Sequence, residues 1–405
     1  MSHDIRVLTA EDELIEAGNI FRTAMIGFPP LNEQQRVLIG KLLEPGRTLG
    51  VFVEGRLAAT ADSTTSTLTL PGGARVGHAA VTHVGVLPSY TRRGIATALL
   101  RHQLRDIADR GEVLASLRAS EATIYERFGY SVATTTATIE VRTARAALRP
   151  GVTVGGPVRL VEPGREWDIL PRIYAAHRGV RPGSIDRDPH WWLNQQLRAE
   201  GTAGARFVAV HGPAGEETGF VRYHPVGTDT WFTSDQRTVV VDDLFAPTEQ
   251  AYVGLVRFLL DLDLVDRLVF TQAPVDSPLP WLLRDRRAAR ITGVHDETWL
   301  RVVDVAQALS RRTYAGTRPV TLRVEDPLLT ENCATYAISA DGVQTTSAPA
   351  QLVADVAGLG AALLGGTSWR DLASAGLVGV HDPVALAAAD ELFAVPQAPY
   401  AGFIF

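Results

Sequence analysis

A pattern of buried strand, short loop, amphipathic helix and strand occurs twice in this chain of 405 residues. The first copy contains the β-branched run "AAVTHVGVLP" at 79–88, then a helix in which apolar residues recur at helical spacing up to a stop at Gly111. The second copy is "RTVVVDDLFAPTEQAYVGLVRFLLDLDLVDRLVFTQAP" at 237–274. Self-similarity of this kind indicates a duplicated domain of mixed α/β structure.

Domain boundaries are predicted from local composition. The segment at 148–165, "LRPGVTVGGPVRLVEPGR", is rich in proline and glycine and separates the two copies. The copies also end alike, in "ATIEVRTARAAL" at 137–148 and "TWLRVVDVAQAL" at 298–309. The remaining ~100 residues have the size of one further small domain. We therefore expect three domains, at 1–150, 151–305 and 306–405.

Composition and charge exclude several classes of protein. Apolar residues make up 46% and charged residues 21% of the chain, as in ordinary globular proteins. The formal net charge of -6 gives no reason to expect a nucleic-acid partner or an anionic membrane surface. A single cysteine, Cys333, and scattered histidines give no metal-ligand spacing. The N-terminus lacks a secretory signal and no apolar run approaches the ~20 residues of a membrane span, so we expect a cytoplasmic protein without a metal.

The strongest local signal is "VGVLPSYTRRGIATALL" at 84–100, where a buried strand leads through a basic loop and a glycine into a helix. Backbone N–H groups at a helix N-terminus attract anions, and Arg92 and Arg93 add positive charge suited to a pyrophosphate. A Lys-Ser/Thr pair after the glycine and a G-x-G-x-x-G pattern are both missing, which excludes the common nucleotide loops. The alternative is an ordinary surface turn with two arginines.

This stretch resembles motif A of the GNAT acetyltransferase superfamily, in which an arginine- and glycine-rich loop holds the pyrophosphate of acetyl-coenzyme A. Gly94 and Ala96 fit the usual Gln/Arg-x-x-Gly-x-Gly/Ala pattern, whereas Thr91 stands at its first position. The segment "RASEATIYERFGY" at 118–130 is similar to the late GNAT segment whose helix carries a tyrosine over the thioester sulfur. With its three-part length, the whole chain resembles the enhanced intracellular survival acetyltransferases.

The resemblance implies an α/β (α+β) fold with two tandem GNAT-like domains followed by a domain similar to sterol carrier proteins. It implies transfer of an acetyl group from acetyl-coenzyme A to primary amines such as aminoglycosides, polyamines or lysine-type acceptors, in a homohexamer built from trimers. The residues that it assigns to coenzyme binding are Val84, Val86, Arg92, Arg93, Gly94, Ile95, Ala96 and Ser120.

Catalytic roles are also implied by the resemblance. Tyr125 matches the tyrosine proposed as general acid to the departing sulfur, and the terminal carboxylate of Phe405 serves as the general base or supports it. An α-carboxyl has an ordinary pKa of roughly 3.5 and is a weak base unless desolvation raises that value. The alternatives are that Tyr125 and Tyr130 are packing aromatics, and that the terminal "FIF" is an apolar plug.

The acceptor pocket is the least constrained part of the sequence. His83 lies beside the predicted coenzyme strand, although a satisfied strand histidine is an equal alternative. Acidic candidates are Glu121 and Asp296, with Asp62 and Glu297 as further ones. A polycation requires acidic residues in its pocket, yet "FRTAMIGFPP" at 21–30 contains none.

The second copy of the pattern provides an internal comparison. Where the first copy has "SYTRRGIA", the second has "FAPTEQAY", which lacks the arginines and the glycine. This predicts one coenzyme site per chain. The competing functional hypothesis is a non-catalytic protein that binds an apolar ligand in its C-terminal domain, with the GNAT-like halves as scaffold. The intact basic loop of the first copy favours the enzyme.

Overall fold

The computed structural model describes residues 4–202 and 204–404, in which strands and helices alternate as the sequence predicts. The first part of the chain forms β1 (Asp4–Val7), α1 (Glu11–Ala24), α2 (Glu33–Val37), α3 (Ile39–Leu42), β2 (Leu49–Val53), β3 (Arg56–Thr69), β4 (Arg75–Val86), α4 (Ile95–Asp109), β5 (Leu114–Leu117), α5 (Ala122–Tyr125) and β6 (Ser131–Arg142). The second part forms β7 (Val158–Leu160), α6 (Glu166–His177), α7 (Pro189–Glu200), β8 (Phe207–His211), β9 (Gly219–Val226), β10 (Thr238–Phe245), α8 (Glu249–Leu260), β11 (Arg267–Pro274), α9 (Leu279–Leu282) and β12 (Ala289–Val302).

The third part of the chain has its own sheet. Its elements are α10 (Val305–Arg311), β13 (Val320–Glu325), β14 (Ala334–Ser339), β15 (Gly342–Thr345), β16 (Leu352–Asp355), α11 (Val356–Leu363), α12 (Trp369–Ser374), β17 (Val378–Val380) and α13 (Pro383–Phe393). The five strands lie in the order β15-β14-β13-β16-β17. Within the described residues, every helix is too short or too polar to cross a membrane.

One twelve-stranded sheet runs through the first and second parts, in the order β1-β2-β3-β4-β5-β12-β6-β11-β10-β9-β8-β7. The two copies of the pattern exchange their last strands. Strand β12 of the second copy pairs antiparallel with β5 of the first, and β6 of the first copy pairs antiparallel with β11 of the second. The two copies are therefore joined by main-chain hydrogen bonds, and the boundaries at 150 and 305 stay a prediction.

The third part packs against this exchange. Helix α11 is buried along its whole length, and a Cβ on Gly360 would lie 2.9 Å from the carbonyl oxygen of Leu300 in β12. Arg301, also in β12, donates to both carboxylate oxygens of Asp326 at 2.8 and 2.7 Å, and both side chains are completely buried. The missing side chain of Gly360 therefore allows α11 to pack closely against β12.

The predicted amphipathic helix of the first copy is confirmed as α4. Its buried face contains Ile95, Leu99, Leu100, Leu104 and Ile107, the apolar residues at helical spacing. Gly111 follows the helix with a φ of 76°, a left-handed conformation that glycine adopts without strain. This packing fixes the position of the N-terminus of α4 against the sheet.

Candidate active site

Strands β4 and β5 separate to form a cleft. They pair in parallel from His78 and Leu114 to Ala80 and Ser116, and β4 then runs on to Val86. The separation coincides with a β-bulge, at which His83 has a φ of 51°. A bulge bends its strand and re-aims the side chains beside it. The part of β4 that carries the predicted coenzyme residues Val84 and Val86 therefore lies beyond the last β4–β5 pair.

The N-terminus of α4 has the features of an anion site. Gly94 is its N-cap residue with a φ of 80°, no side chain caps the helix, and a Cβ on Gly94 would meet no atom within 4 Å. Arg92, Arg93 and Gly94 are all exposed. The Arg93 guanidinium donates to the carbonyl of Ser89 at 3.2 Å, which keeps its charge beside the loop. Uncapped N–H groups, the helix dipole and two guanidinium groups fit a pyrophosphate.

The matching helix of the second copy, α8, begins differently. The hydroxyl oxygen of its N-cap residue Thr248 accepts a hydrogen bond from the N–H of Ala251 at 3.2 Å. Pro247 has no N–H to offer, and Glu249 places a negative charge in the first turn. This helix end is therefore partly satisfied by its own residues and repels anions.

Tyr125 and Tyr130 lie together beneath the cleft, with ring centroids 6.2 Å apart. Tyr125, the last residue of α5, is 6% exposed, and burial raises the pKa of its hydroxyl while a hydrogen bond with Ser120 opposes that rise. Tyr130 is completely buried, and its hydroxyl has no hydrogen-bond partner within the described residues. Both phenols keep their protons at neutral pH, but only Tyr125 retains some exposure.

The C-terminal segment, residues 401–404, is anchored by a buried carboxylate. Glu297 of β12 accepts hydrogen bonds from the backbone N–H groups of Ala401 at 3.0 Å and Gly402 at 2.8 Å. Arg118 donates both to Glu297, at 3.4 Å, and to the carbonyl oxygen of Phe403. Glu297 was a candidate for the acceptor pocket, and its oxygens are occupied instead by the chain's own backbone.

The second part of the chain holds the same segment from the other side. The Phe403 ring meets that of Trp191 edge-on at 4.9 Å, and the Arg187 guanidinium lies 4.7 Å from its centroid. The indole N–H of Trp191 donates to the carbonyl oxygen of Ile404 at 2.7 Å. Phe405, the predicted source of the catalytic carboxylate, lies outside the described residues, so its role stays a prediction.

A small cavity of about 40 Å³ lies between β3, β4 and α7. His83 lines it, with its Nδ1 atom 3.4 Å from Oδ2 of Asp62, and Ile404 lines it as well. The remaining lining residues are Leu42, Thr64, Thr82, Asp188, His190, Trp191, Asn194, Gln195 and Arg198. The hairpin of β3 and β4, the distant helix α7 and the C-terminal segment therefore meet beside the bulge of β4.

A larger cavity of about 410 Å³ lies next to the small one. Asp242 and Thr271, which line it, directly follow the last β10–β11 pair, so it occupies the place where these two strands separate. The other lining residues are Trp191, Gln195, Arg198, Ala199, Thr202, Arg206, Arg222, Asp243, Gln272, Phe403 and Ile404. Four residues, Trp191, Gln195, Arg198 and Ile404, line both cavities.

The structure brings some predicted site residues together and leaves others apart. His83 and Asp62 share the small cavity. Glu121 and Asp296 are exposed and line neither cavity, and Asp296 accepts a hydrogen bond from the Trp299 indole. Among the described residues, no group of three or more histidine, cysteine, aspartate or glutamate side chains is arranged to hold a metal ion.

Sequence reasoning missed the contribution of helix α7. Neither Trp191 nor Arg198 is among the site residues that the sequence predicts. The available signal was "RDPHWWLNQQLR" at 187–198, in which aromatic, amide and charged residues share a helix that begins at an Asp-Pro cap. Nothing in the sequence placed that helix against β4.

Comparisons with known proteins define the class. Models of the acetyltransferase (GNAT) domain match residues 4–133 and 183–302, and a model of the sterol carrier protein domain matches residues 305–402. The predicted succession of two GNAT domains and a sterol-carrier-like domain is thus confirmed. GNAT acetyltransferases use acetyl-coenzyme A.

Individual relatives narrow the class further. The crystal structure of Eis1 from Mycobacterium abscessus is 46% identical, covers 99% of this chain and 100% of that one, and has a TM-score of 0.93. An uncharacterized N-acetyltransferase of Streptomyces avermitilis is 34% identical over 99% of both chains. N-acetyltransferase Eis of Mycobacterium tuberculosis is 38% identical over 61% of this chain and 60% of that protein. The chain belongs to the Eis-like family of GNAT N-acetyltransferases.

Proposed function

We propose that this protein transfers the acetyl group of acetyl-coenzyme A to a primary amine in the cleft of its first part. The observation that carries the proposal is the uncapped N-terminus of α4 at Gly94, next to the separated end of β4. Acetyl-coenzyme A, when bound, supplies an acyl thioester. Its pyrophosphate would be held by Arg92, Arg93 and the N–H groups at Gly94, Ile95 and Ala96.

Other residues would hold the rest of the coenzyme. The backbone of Val84 and Val86 is the proposed partner of the pantetheine arm, because this part of β4 lies beyond its pairing with β5. Ser120 lies three residues after the end of β5 and is a further proposed coenzyme contact, and its hydroxyl opposes the rise that burial causes in the pKa of Tyr125.

Tyr125 is proposed as the general acid. A buried phenol with a raised pKa stays protonated at neutral pH. It would donate its proton to the sulfur of the leaving group as the bond from carbonyl carbon to sulfur breaks. Tyr130 is excluded from this role by its complete burial.

The attacking amine must lose a proton, and two groups are proposed to assist. The resemblance assigns this task to the Phe405 carboxylate, as base or as support for it. The adjoining Ile404 lines the same cavity as the His83–Asp62 pair, which supports a route for the proton beside the bulge of β4. His83 would accept the proton or orient the amine, with Asp62 beside its ring at 3.4 Å.

The resemblance and the composition support the remaining parts of the proposal. The acceptors are aminoglycosides, polyamines or lysine-type amines. The assembly is a homohexamer built from trimers, and the location is cytoplasmic. We also propose one coenzyme site per chain, supported by the self-capped start of α8 at Thr248. Neither cavity is lined by a residue between 305 and 402, so we do not propose a separate ligand-binding function.

The direct experiment measures release of coenzyme A thiol from acetyl-coenzyme A with a panel of amines, together with mass spectrometry of the acetylated product. We expect thiol release that depends on the amine and is lost in Arg92→Ala/Arg93→Ala. Thiol release with no amine, or none with any amine from a folded protein that binds the coenzyme, would contradict the proposal.

The role of Phe405 needs its own experiment. A short extension after Phe405 that a specific protease removes should abolish turnover, and cleavage back to Phe405 should restore it in the same sample. Thermal unfolding before and after cleavage separates a catalytic role from a stabilising one. Full activity with the extension in place would exclude the carboxylate.

A further inference from the structure

The larger cavity carries unbalanced positive charge. Three arginines line it, together with two aspartates. Both aspartates are already engaged: Asp243 accepts two hydrogen bonds from the buried Arg187, at 2.7 and 3.0 Å, and Asp242 lies 2.8 Å from His224 and 3.4 Å from Arg206. The carboxylates of this cavity therefore do not fully neutralise the charge of its arginines.

Arg198 and Arg222 are the two cations in question. Within residues 4–202 and 204–404, neither forms an ion pair with a carboxylate within 4.0 Å. Arg222 is half-buried, and its contacts are a long hydrogen bond of 3.5 Å to the Gln195 amide oxygen and the Trp167 ring at 5.1 Å. Burial lowers the pKa of Arg222 from its ordinary value, yet a guanidinium stays charged at neutral pH.

The small cavity has the opposite character. Asp62 and Asp188 line it, together with the histidines His83 and His190. Asp62 lies at the bulge of β4, and Arg198, which lines both cavities, lies between this acidic end and the more distant Arg206 and Arg222. The two cavities thus form one region that is acidic beside the proposed thioester site and basic farther from it.

A polycation does not suit this charge distribution. Its distant amino groups would face the like charges of the exposed Arg198 and Arg206 and the half-buried Arg222, which is unfavourable. A planar guanidinium instead matches the two oxygens of a carboxylate or phosphate. A molecule with an amine at one end and an oxyanion at the other would satisfy both cavities.

We infer that the acceptor of this enzyme is an amine that also carries an oxyanionic group, a carboxylate or a phosphate, which Arg198 and Arg222 bind while the amine faces His83 and Asp62. This inference rests on the proposed acetyl transfer and specifies its substrate class. Arg206 adds charge at the exposed mouth of the cavity.

The test compares acceptors that differ by the anion alone. The carboxylate pair is lysine with cadaverine, and the phosphate pair is phosphoethanolamine with ethanolamine. We expect kcat/KM to be at least about tenfold higher for the anionic member of at least one pair, the scale of a charge-assisted hydrogen bond. A carboxylate preference identifies amino-acid-like acceptors, and a phosphate preference identifies phosphoamines. Equal values, or preference for the anion-free member or spermidine, would overturn the inference.

Substitutions of the two arginines test whether they cause the preference for the anionic acceptor. Arg222→Ala and Arg198→Ala should bring the ratio within a pair close to one, mainly by raising KM for the anionic member. Arg172→Ala is the matched control: Arg172 is exposed on α6, donates to the Asp168 carbonyl within its own helix, and lines neither cavity. An unchanged ratio in both cavity variants would overturn the assignment of these arginines.

A binding measurement separates this inference from the proposed activity. Calorimetric titration with Nε-acetyllysine and N-acetylcadaverine needs no turnover. We expect tighter binding of Nε-acetyllysine, weakened at least about tenfold by Arg222→Ala. If no amine is acetylated, the proposed function fails while this titration still decides on the anion site. Equal binding of the two compounds would overturn the site whatever the activity.

Discussion

The indole nitrogen of Trp191 lies 2.7 Å from the carbonyl oxygen of Ile404 and donates a hydrogen bond to it. Trp191 belongs to the second part of the chain, whereas Ile404 follows the sterol-carrier-like part, and both line the cavity that contains His83 of the first. Three parts of the chain therefore meet at one contact. The second GNAT domain acts here by holding the C-terminal segment in place, because its own helix end lacks the features of a coenzyme site.

Removing that hydrogen bond tests whether the position of the C-terminal segment matters for turnover. Trp191→Phe keeps an aromatic ring but loses the N–H donor, at an expected cost to the free energy of unfolding of about 1 kcal/mol. We expect kcat/KM for the acceptor to fall several-fold. Trp192→Phe is the control, because Trp192 is equally buried and lines neither cavity. Similar losses of activity in both variants would mean that only packing is affected.

Phenylalanine substitutions of the two tyrosines beneath the cleft should differ in their effect on kcat. Tyr125→Phe should lower kcat roughly 100-fold, the lower end of the range for a general acid, with little change in coenzyme affinity. Tyr130→Phe removes a buried hydroxyl without a described partner, so kcat should persist and the free energy of unfolding should stay the same or rise. Steady-state kinetics and urea unfolding of both variants decide the matter, and full activity of Tyr125→Phe would reduce Tyr125 to a packing residue.

The pH dependence of kcat follows from the same burial. Because burial raises the pKa of Tyr125, the acid stays protonated up to pH values above the ordinary pKa of a tyrosine, and its ionisation should not limit kcat at neutral pH. A basic limb of the kcat profile near pH 7 to 8 that disappears in Tyr125→Phe would contradict the environment described here.

His78 predicts how stability depends on pH. It is completely buried in β4, its Nε2 atom lies 2.7 Å from the Ser116 hydroxyl, and burial, aided by Arg178 and Arg47, lowers its pKa to about 3. The unfolded chain binds a proton at this histidine below about pH 6.5, where the folded chain does not. The free energy of unfolding should therefore fall as pH drops, with a contribution approaching about 1.4 kcal/mol per pH unit from this site.

Urea unfolding between pH 7 and pH 5 measures this slope before most carboxylates titrate. His78→Gln should be less stable at pH 7 but should show a shallower loss as the pH falls. An equal slope in the variant and the unaltered protein would show that His78 is not the group responsible.

The sequence predicted those parts of the fold and site that depend on local pattern. Helix α4 and its left-handed residues Gly94 and Gly111 follow from a 3.6-residue apolar period with glycine at each end. The difference between the two helix starts is equally readable, because Thr248, Glu249 and Gln250 stand where the first copy has its two arginines and its glycine. The family and the three-part architecture were recognised from the same motifs.

The pairing of strands that lie far apart in the chain could not be predicted from the sequence. Strands β6 and β12 are both rich in β-branched residues, like ordinary sheet strands, and nothing in their residues shows that they exchange partners between the two copies. For the same reason, the helix carrying Trp191 and Arg198 could not be assigned to a cavity beside His83, more than a hundred positions away in the chain. The charge distribution of the acceptor region arises from that long-range contact.

Two matched glycines allow the position of the coenzyme site to be tested. Gly94 and Gly111 flank α4 with φ values of 80° and 76°, and a Cβ on either would meet no atom within 4 Å. Replacing either with valine forces a β-branched residue into a left-handed conformation, which costs about 1–2 kcal/mol of stability in both. Gly94→Val alters the proposed pyrophosphate loop, whereas Gly111→Val alters the opposite end of the helix.

Calorimetric titration of coenzyme A into these proteins tests the account most directly. We predict one coenzyme A per chain for the unaltered protein and for Gly111→Val, and affinity lowered at least about tenfold in Gly94→Val, because strain at this residue displaces the N–H groups that face the pyrophosphate. Two molecules per chain, or an unchanged dissociation constant in Gly94→Val, would contradict the assignment of the coenzyme to the N-terminus of α4.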